Sequence, residues 1–239
     1  GLHGVGASVV NALSEWMEIV NCHGGKQYSE RFERGHVVRP LKCDGDTDRH
    51  GLYVRFLPDS EIFTELEYDY TTVLNRLREQ AFLNAGLTIE LEDKRDFSKL
   101  RHEGEIAVEA SSEDETDAPD TVREEEQVYN KFCYEGGIKS FVEHLNQKKH
   151  ATVLHDDVIY FAKETEVCLA EIAMQYNDGY NEMLMAFANN IHTPEGGTHE
   201  TGFKTGLSKA YNDYARKYGY LKDADKNFAG EDVREGLTV

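Results

Sequence analysis

GLHGVGASVVNALSEW, Gly1 to Trp16, is the stretch on which the fold turns. Three glycines fall within the first six residues, so little side chain stands between the backbone N–H groups and an approaching anion. From Ala7 to Trp16 the residues Val9, Val10, Leu13, Trp16 and Met17 follow helical spacing, which predicts a helix with one buried face. A helix beginning there adds its own unpaired N–H groups and the positive end of its dipole. Loop and helix together predict an anion cradle of the kind used for phosphate. A loop of this type normally hangs from a preceding element, and the chain begins on Gly1 without an initiator Met. The expectation is therefore a piece of a longer protein, cut again after Arg234 to Val239, which read as the start of a strand.

Working outward, Glu18 to Cys22 and Gln27 to Arg34 read as a hairpin turning at Gly24-Gly25. Tyr53 to Leu57 reads as a strand closed by Pro58-Asp59, and residues 35–50 carry no assignment. A helix is predicted from Tyr68 to Ala85 and an alternating strand from Leu87 to Leu91. YEGGI, Tyr134 to Ile138, reads as a turn feeding an amphipathic helix that runs to Asn146, with Ile138, Phe141, Val142 and Leu145 inward. Val158 to Phe161 is a short strand. Val167 to Gln175 and Tyr180 to Ala188 suggest a hairpin around Asn177-Asp178-Gly179. A long helix is predicted from Thr198 to Tyr218, with Phe203, Leu207, Ala210, Tyr211, Tyr214 and Tyr218 on one face and Lys204, Lys209, Arg216 and Lys217 opposite. The mixture predicts an α+β fold, a sheet covered by helices on one face.

Composition narrows the class. The 239 residues suit one large domain or two small ones, and no apolar run approaches a membrane span. The four cysteines, Cys22, Cys43, Cys133 and Cys168, lack CxxC pairing, which fits free thiols in a reducing, cytoplasmic setting. No histidine pair has metal-ligand spacing, and no metal ligand or catalytic residue is assigned. The net charge of −19 argues against the segment as a whole being a DNA-binding surface; any such contact has to be local. Much of that charge lies between Asp96 and Lys131, where twelve acidic residues face four basic ones. This stretch (96–131) is expected to be a mostly disordered acidic insert.

Three motifs occur in order: GLHGVGASVVNALS at the start, YEGGI in the middle, and NNIHTPEGGTHETGFKTGL followed by GEDVREGLT at the end. Together they resemble the ATP-binding subunits of type II DNA topoisomerases, the B subunit of bacterial DNA gyrase and its relative in topoisomerase IV. The resemblance covers all but the acidic insert. It implies that residues 1–161 are the back part of a gyrase/chaperone/kinase/mismatch-repair-type ATPase sandwich. Residues 162–239 would be the front part of an α+β transducer domain.

By the same resemblance the first loop is an ATP lid, and phosphate contact falls on Leu2, His3, Gly4, Val5, Gly6 and Ala7. An adenine-pocket strand, usually G-T-x-V-x-F, is matched at Gly51 and Val54, while Leu52 replaces the usual threonine. The lost hydroxyl costs on the order of 1 kcal/mol of polar contact. His23-Gly24-Gly25-Lys26 stands where relatives commonly show Arg-Asp-Gly-Lys. Both departures bear on nucleotide affinity and aminocoumarin sensitivity. The resemblance places the general-base Glu, the Mg²⁺-binding Asn and the adenine-reading Asp upstream of this chain, and a Gln-Thr-Lys loop downstream. ATP and Mg²⁺ are thus the implied cofactors, and the chain by itself is expected to be inactive. Implied partners are the gyrase A subunit, a second gyrase B protomer on ATP binding, and double-stranded DNA, with Lys204, Lys209 and Arg216 as DNA-cavity candidates. Two alternatives stay open: topoisomerase IV, and a degenerate nucleotide-binding paralogue.

Overall fold

In the computed structural model, which describes residues 5–95, 123–124 and 127–239, the chain divides into two units, Gly1–Asp69 and Tyr70–Val239. The first is built on a four-stranded antiparallel sheet. A short helix α1 (Gly6–Ala12) is followed by β1 (Ser14–His23), β2 (Lys26–Glu33), β3 (His36–Asp46) and β4 (Gly51–Pro58), in the spatial order β3-β2-β1-β4. The β1–β2 hairpin forms as read: His23 pairs with Lys26, and Gly24 and Gly25 both take positive φ. That is the backbone a two-residue hairpin turn requires, and glycine adopts it without steric cost.

Two expectations for this region are corrected. The helix stops at Ala12 rather than Trp16, and Trp16 and Met17 belong to β1. Ser14 Oγ donates to Val10 O at 2.6 Å, closing an orphan carbonyl at the helix end, and the Asp59 amide donates to Leu13 O. α1 also has no buried residue, so the predicted buried face is absent; Val9, Val10 and Leu13 stay solvent-facing. β3 is an element the sequence reading left unassigned. It lies at the sheet edge, where Pro40 costs no ladder bond that an inner strand would need.

The second unit opens with α2 (Tyr70–Leu83) and a sheet of β5 (Ile89–Asp93), β6 (Arg123–Glu124) and β7 (Gln127–Phe132), ordered β5-β7-β6. Here the acidic insert is narrowed. Residues 96–122 and 125–126 lie outside the described residues, but Arg123–Glu124 and Gln127–Phe132 are strands. β7 is held along its length by β5, from Ile89 opposite Phe132 to Asp93 opposite Val128. Then follow α3 (Ile138–Lys148), β8 (Ile159–Glu164), β9 (Leu169–Tyr176), the small hairpin β10 (Phe187–Ala188) and β11 (Ile191–His192), and α4 (Thr198–Lys217). A 3₁₀ turn (Asp232–Arg234) and β12 (Leu237–Thr238) complete the chain. Phe82, on α2, is buried and stacks on Tyr134 and Phe141, joining α2 to α3.

The hairpin expected around Asn177-Asp178-Gly179 does not form. β9 pairs with β8 on one side and with β12 on the other. The chain leaves β9 at an Asx turn, Asn177 Oδ1 accepting from the Gly179 amide at 2.9 Å. It then runs alongside β12, with Met183 bridged in parallel to Thr238. Met174, Leu207 and Leu237 form the core there, with Phe203 and Tyr176 packed against them. The buried face of α4 is also rotated from its prediction. Leu207, Asn212 and Ala215 point inward, whereas Tyr211, Tyr214 and Tyr218 are exposed. Asn212 wins an inward position because its amide satisfies both backbone groups of Phe228.

Among the described residues no helix is long and apolar enough to cross a membrane, and no group of three His, Cys, Asp or Glu is set to hold a metal ion.

Candidate functional site

Of the predicted lid, Leu2, His3 and Gly4 lie outside the described residues. Val5, Gly6 and Ala7 are exposed. Val5 is the N-cap of α1 and makes no side-chain cap, and the first turn holds no acidic residue, so no carboxylate from that turn competes for the amides of the helix start. A Cβ on Gly6 would meet nothing within 4 Å. The described start of the helix is therefore open to an incoming group.

Gly51 and Val54 lie on β4, an outer strand of the sheet, opposite Cys22 and Ile19 of β1. Gly51 has φ +124, a conformation L side chains rarely adopt, and its Cα face is empty. Leu52 and Val54 point to one side of the strand and are exposed at 66% and 44%. That alternation leaves Leu52, in the place of the usual threonine, on the same face as Val54. α1 meets β4 at the other end of the strand, through Leu13 and Asp59. There Asp59, almost fully buried, receives Arg34 Nε at 2.8 Å and the Glu61 amide at 2.9 Å. The amide of Glu61 and then the Arg34 guanidinium hold the Asp59 carboxyl below the usual carboxylate range, against its burial.

The three basic candidates on α4 do not form one stripe. At about 100° per residue, Lys209 and Arg216 lie about 20° apart while Lys204 is more than about 100° from both. Lys209 is exposed and paired with Asp213 one turn on. Arg216 ties down the segment after the helix, donating to Asn227 Oδ1 and to the carbonyls of Lys222 and Asp225. Lys204 enters the wall of a cavity of 380 Å³, whose lining includes Glu182, His192, Thr193 and Glu200. Its ammonium is 2.7 Å from Glu200 Oε1 and 3.5 Å from Glu182 Oε1. The hydrogen bond to Glu200 raises Lys204 above the ordinary lysine value, Glu182 adds to this, and burial opposes it.

Sequence reasoning missed Glu182 and the role of Arg234, whose Nε donates to Glu182 Oε2 at 2.8 Å. It also missed a buried amide network. Asn146 on α3 donates to Gln175 Oε1 at 2.8 Å and accepts from Thr238 Oγ1 at 2.6 Å and Asn177 Nδ2 at 3.1 Å. Gln175 in turn donates to the carbonyls of His155 and Asp156. Polar residues at helix and strand positions otherwise apolar were the available signal.

Residues 137–239 match the family described as DNA gyrase B. Over its full length the chain is 48% identical to the B subunit of DNA gyrase from Clostridium acetobutylicum, of which it covers 33%. It is 46% identical to the corresponding protein of Bacillus mycoides, covering 52% of it. The chain thus spans between a third and about half of the length of these curated relatives. Among solved structures, the 43K ATPase domain of Thermus thermophilus gyrase B, crystallised with an aminocoumarin, superposes with a TM-score of 0.73 at 34% identity. That match covers 99% of this chain and 56% of the other. Similarity to DNA gyrase B proteins thus runs the whole length of the chain, and its fold is shared with a gyrase B ATPase domain.

Proposed function

We propose that this chain is a segment of the ATP-binding subunit of a DNA gyrase, in which ATP binding and hydrolysis drive DNA strand passage and negative supercoiling. The observation that carries this reading is identity of 46–48% to gyrase B proteins over the entire chain. In this reading residues 1–161 complete the ATPase domain and residues 162–239 begin the transducer. The backbone amides of Leu2 to Gly6, with Ala7 at the start of α1, close on the terminal phosphates of ATP, using the uncapped helix start as the anion-facing end. Gly51 and Val54 form part of the wall against the adenine, where Leu52 supplies contact area but no hydroxyl. Mg²⁺ supplies charge neutralisation at the phosphates when bound. Its ligands lie outside this chain.

Closure of the lid brings two gyrase B protomers together around a DNA segment. Lys209 and Arg216 face the captured duplex, Lys209 directly and Arg216 while ordering the segment from Lys222 to Asn227, and Lys204, more than about 100° round the helix, meets it from a second side. The gyrase A subunit supplies the tyrosine that breaks DNA.

The test is reconstitution of the complete reading frame with the gyrase A subunit on relaxed plasmid. ATP-dependent negative supercoiling is the expected result. Decatenation without supercoiling would reassign the chain to topoisomerase IV, and neither activity would make it a degenerate paralogue.

A further inference from the structure

Lys204 is the one basic DNA candidate whose charge is matched by more than one carboxylate. Glu200 lies one helical turn before it on α4, and Glu182 arrives from the segment that runs beside β12. Glu182 is itself anchored by Arg234 through Oε2, while its Oε1 has no hydrogen-bond partner and points toward the Lys204 ammonium. All three side chains are partly covered, at 33%, 21% and 25% exposure for Lys204, Glu200 and Glu182. A cavity lined by all three residues lies beside them, and the partly exposed Lys204 side chain can be approached from it, whereas Glu182 Oε1 is buried.

With Arg234 on the other oxygen of Glu182, the two cations and two carboxylates balance and leave no net positive charge to offer an isolated anion. A duplex backbone differs, since its phosphates are dense enough to displace a carboxylate while releasing condensed counterions. We propose that Glu182 and Glu200 act as an acidic latch on Lys204, withholding it from small anions and yielding it to double-stranded DNA. This inference rests on the reading that α4 faces DNA. The latch makes Lys204 engagement a late event in capture, after Lys209 and its neighbours have brought the duplex close.

The experiment measures binding of the 239-residue chain to a fluorescent duplex of about 20 base pairs across a salt series. Removing the latch with E182Q and E200Q together should tighten binding by about two- to fivefold, the yield of one or two freed surface ion pairs. It should also steepen the slope of log K against log salt by about 0.9. Adding K204Q should erase both effects. E164Q with E166Q removes the same charge from exposed positions elsewhere in the unit and should give neither.

An equal gain in that control pair overturns the latch, because net charge then suffices. A gain that survives K204Q overturns it too. Inert latch variants in a chain whose DNA binding is weakened by K209Q remove the latch and leave the DNA reading standing. No DNA binding by any variant, either in this chain or in the complete ATP-bound subunit, removes both. If the double variant lowers the unfolding midpoint, E200Q alone keeps the Arg234–Glu182 pair and is read by the same criteria, with a smaller gain.

Discussion

Replacing Asn146 with alanine tests whether the amide network is the join that holds α3, β9 and β12 together. The side chain is 2% exposed and serves three partners: Gln175 Oε1, Asn177 Nδ2 and Thr238 Oγ1. Truncation strips Gln175 Oε1 and the Thr238 hydroxyl proton of their partners in a region where Thr238 is 0% and Gln175 3% exposed. Asn177 keeps its bond to Thr238 at 3.2 Å. Two newly orphaned buried groups, at about 1–3 kcal/mol each, predict a loss of roughly 2–4 kcal/mol after partial relaxation. Chemical denaturation followed by far-UV circular dichroism reads this, since α3 and α4 carry much of the signal. Tryptophan fluorescence is the wrong channel, because Trp16 is the single tryptophan and lies in the other unit.

Asn146→Asp sharpens the test. It keeps the shape and the Oδ1 acceptor but sets a carboxyl against Gln175 Oε1. Desolvation and the missing donor raise the folded pKa of that carboxyl, and only its protonated form can donate to Gln175. The variant is then most stable below the unfolded carboxyl value of about 3.9, and loses that stability as pH rises through the raised folded value. A loss in N146A under about 0.5 kcal/mol, the range of an ordinary surface substitution, would refute the argument.

Two further predictions concern backbone and charge. Gly236→Ala should lower stability by about 2 kcal/mol or more, because φ is +66 and the new methyl would sit 2.7 Å from Gly179 O as well as against Asn177 O; an unchanged melting curve would show that the entry to β12 can shift. Asp59 has a depressed folded pKa, so its contribution is present above the unfolded value and is lost as pH falls through the folded one. Asp59→Asn should therefore flatten the acid limb of unfolding followed by Trp16 fluorescence, and an acid limb identical to that of the unmodified chain would assign it to other carboxylates.

Local chemistry was legible where local chemistry decided the outcome. Gly24-Gly25 announced a hairpin, and the spacing of Ile138, Phe141 and Val142 announced α3. The failures share a cause. Asn177-Asp178-Gly179 has the composition of a hairpin turn, but β9 takes its second partner from Leu237 and Thr238, sixty-one residues beyond Asn177 in the case of Thr238. No short window contains that pairing. β3 escaped because Pro40 and Gly45 interrupt its alternation, which an edge strand tolerates. On α4 the tyrosine spacing mimicked a buried face, while the amide of Asn212 took the inward position for its bonds to Phe228. The candidate site divided in the same way. Candidate lid and strand positions could be named from short motifs and Lys204 from its helix, whereas Glu182 and Arg234 are scattered along the chain and only the fold makes them its neighbours.

The placement of β12 sets an order of events during folding. Asn146 and Asn177 bond to each other, to Gln175 and to the Gly179 amide, and Thr238, ninety-two residues after Asn146, adds the last hydroxyl contact and covers the cluster. The β8–β9 hairpin and α3 have local contacts and can form early, yet the polar atoms they would bury stay better solvated by water until that long loop closes. Closure of a loop this size carries an entropic cost that is met only when the last contacts are made. Docking of β12 is thus the contact of greatest sequence separation in the amide cluster, and without it β9 would keep an open edge.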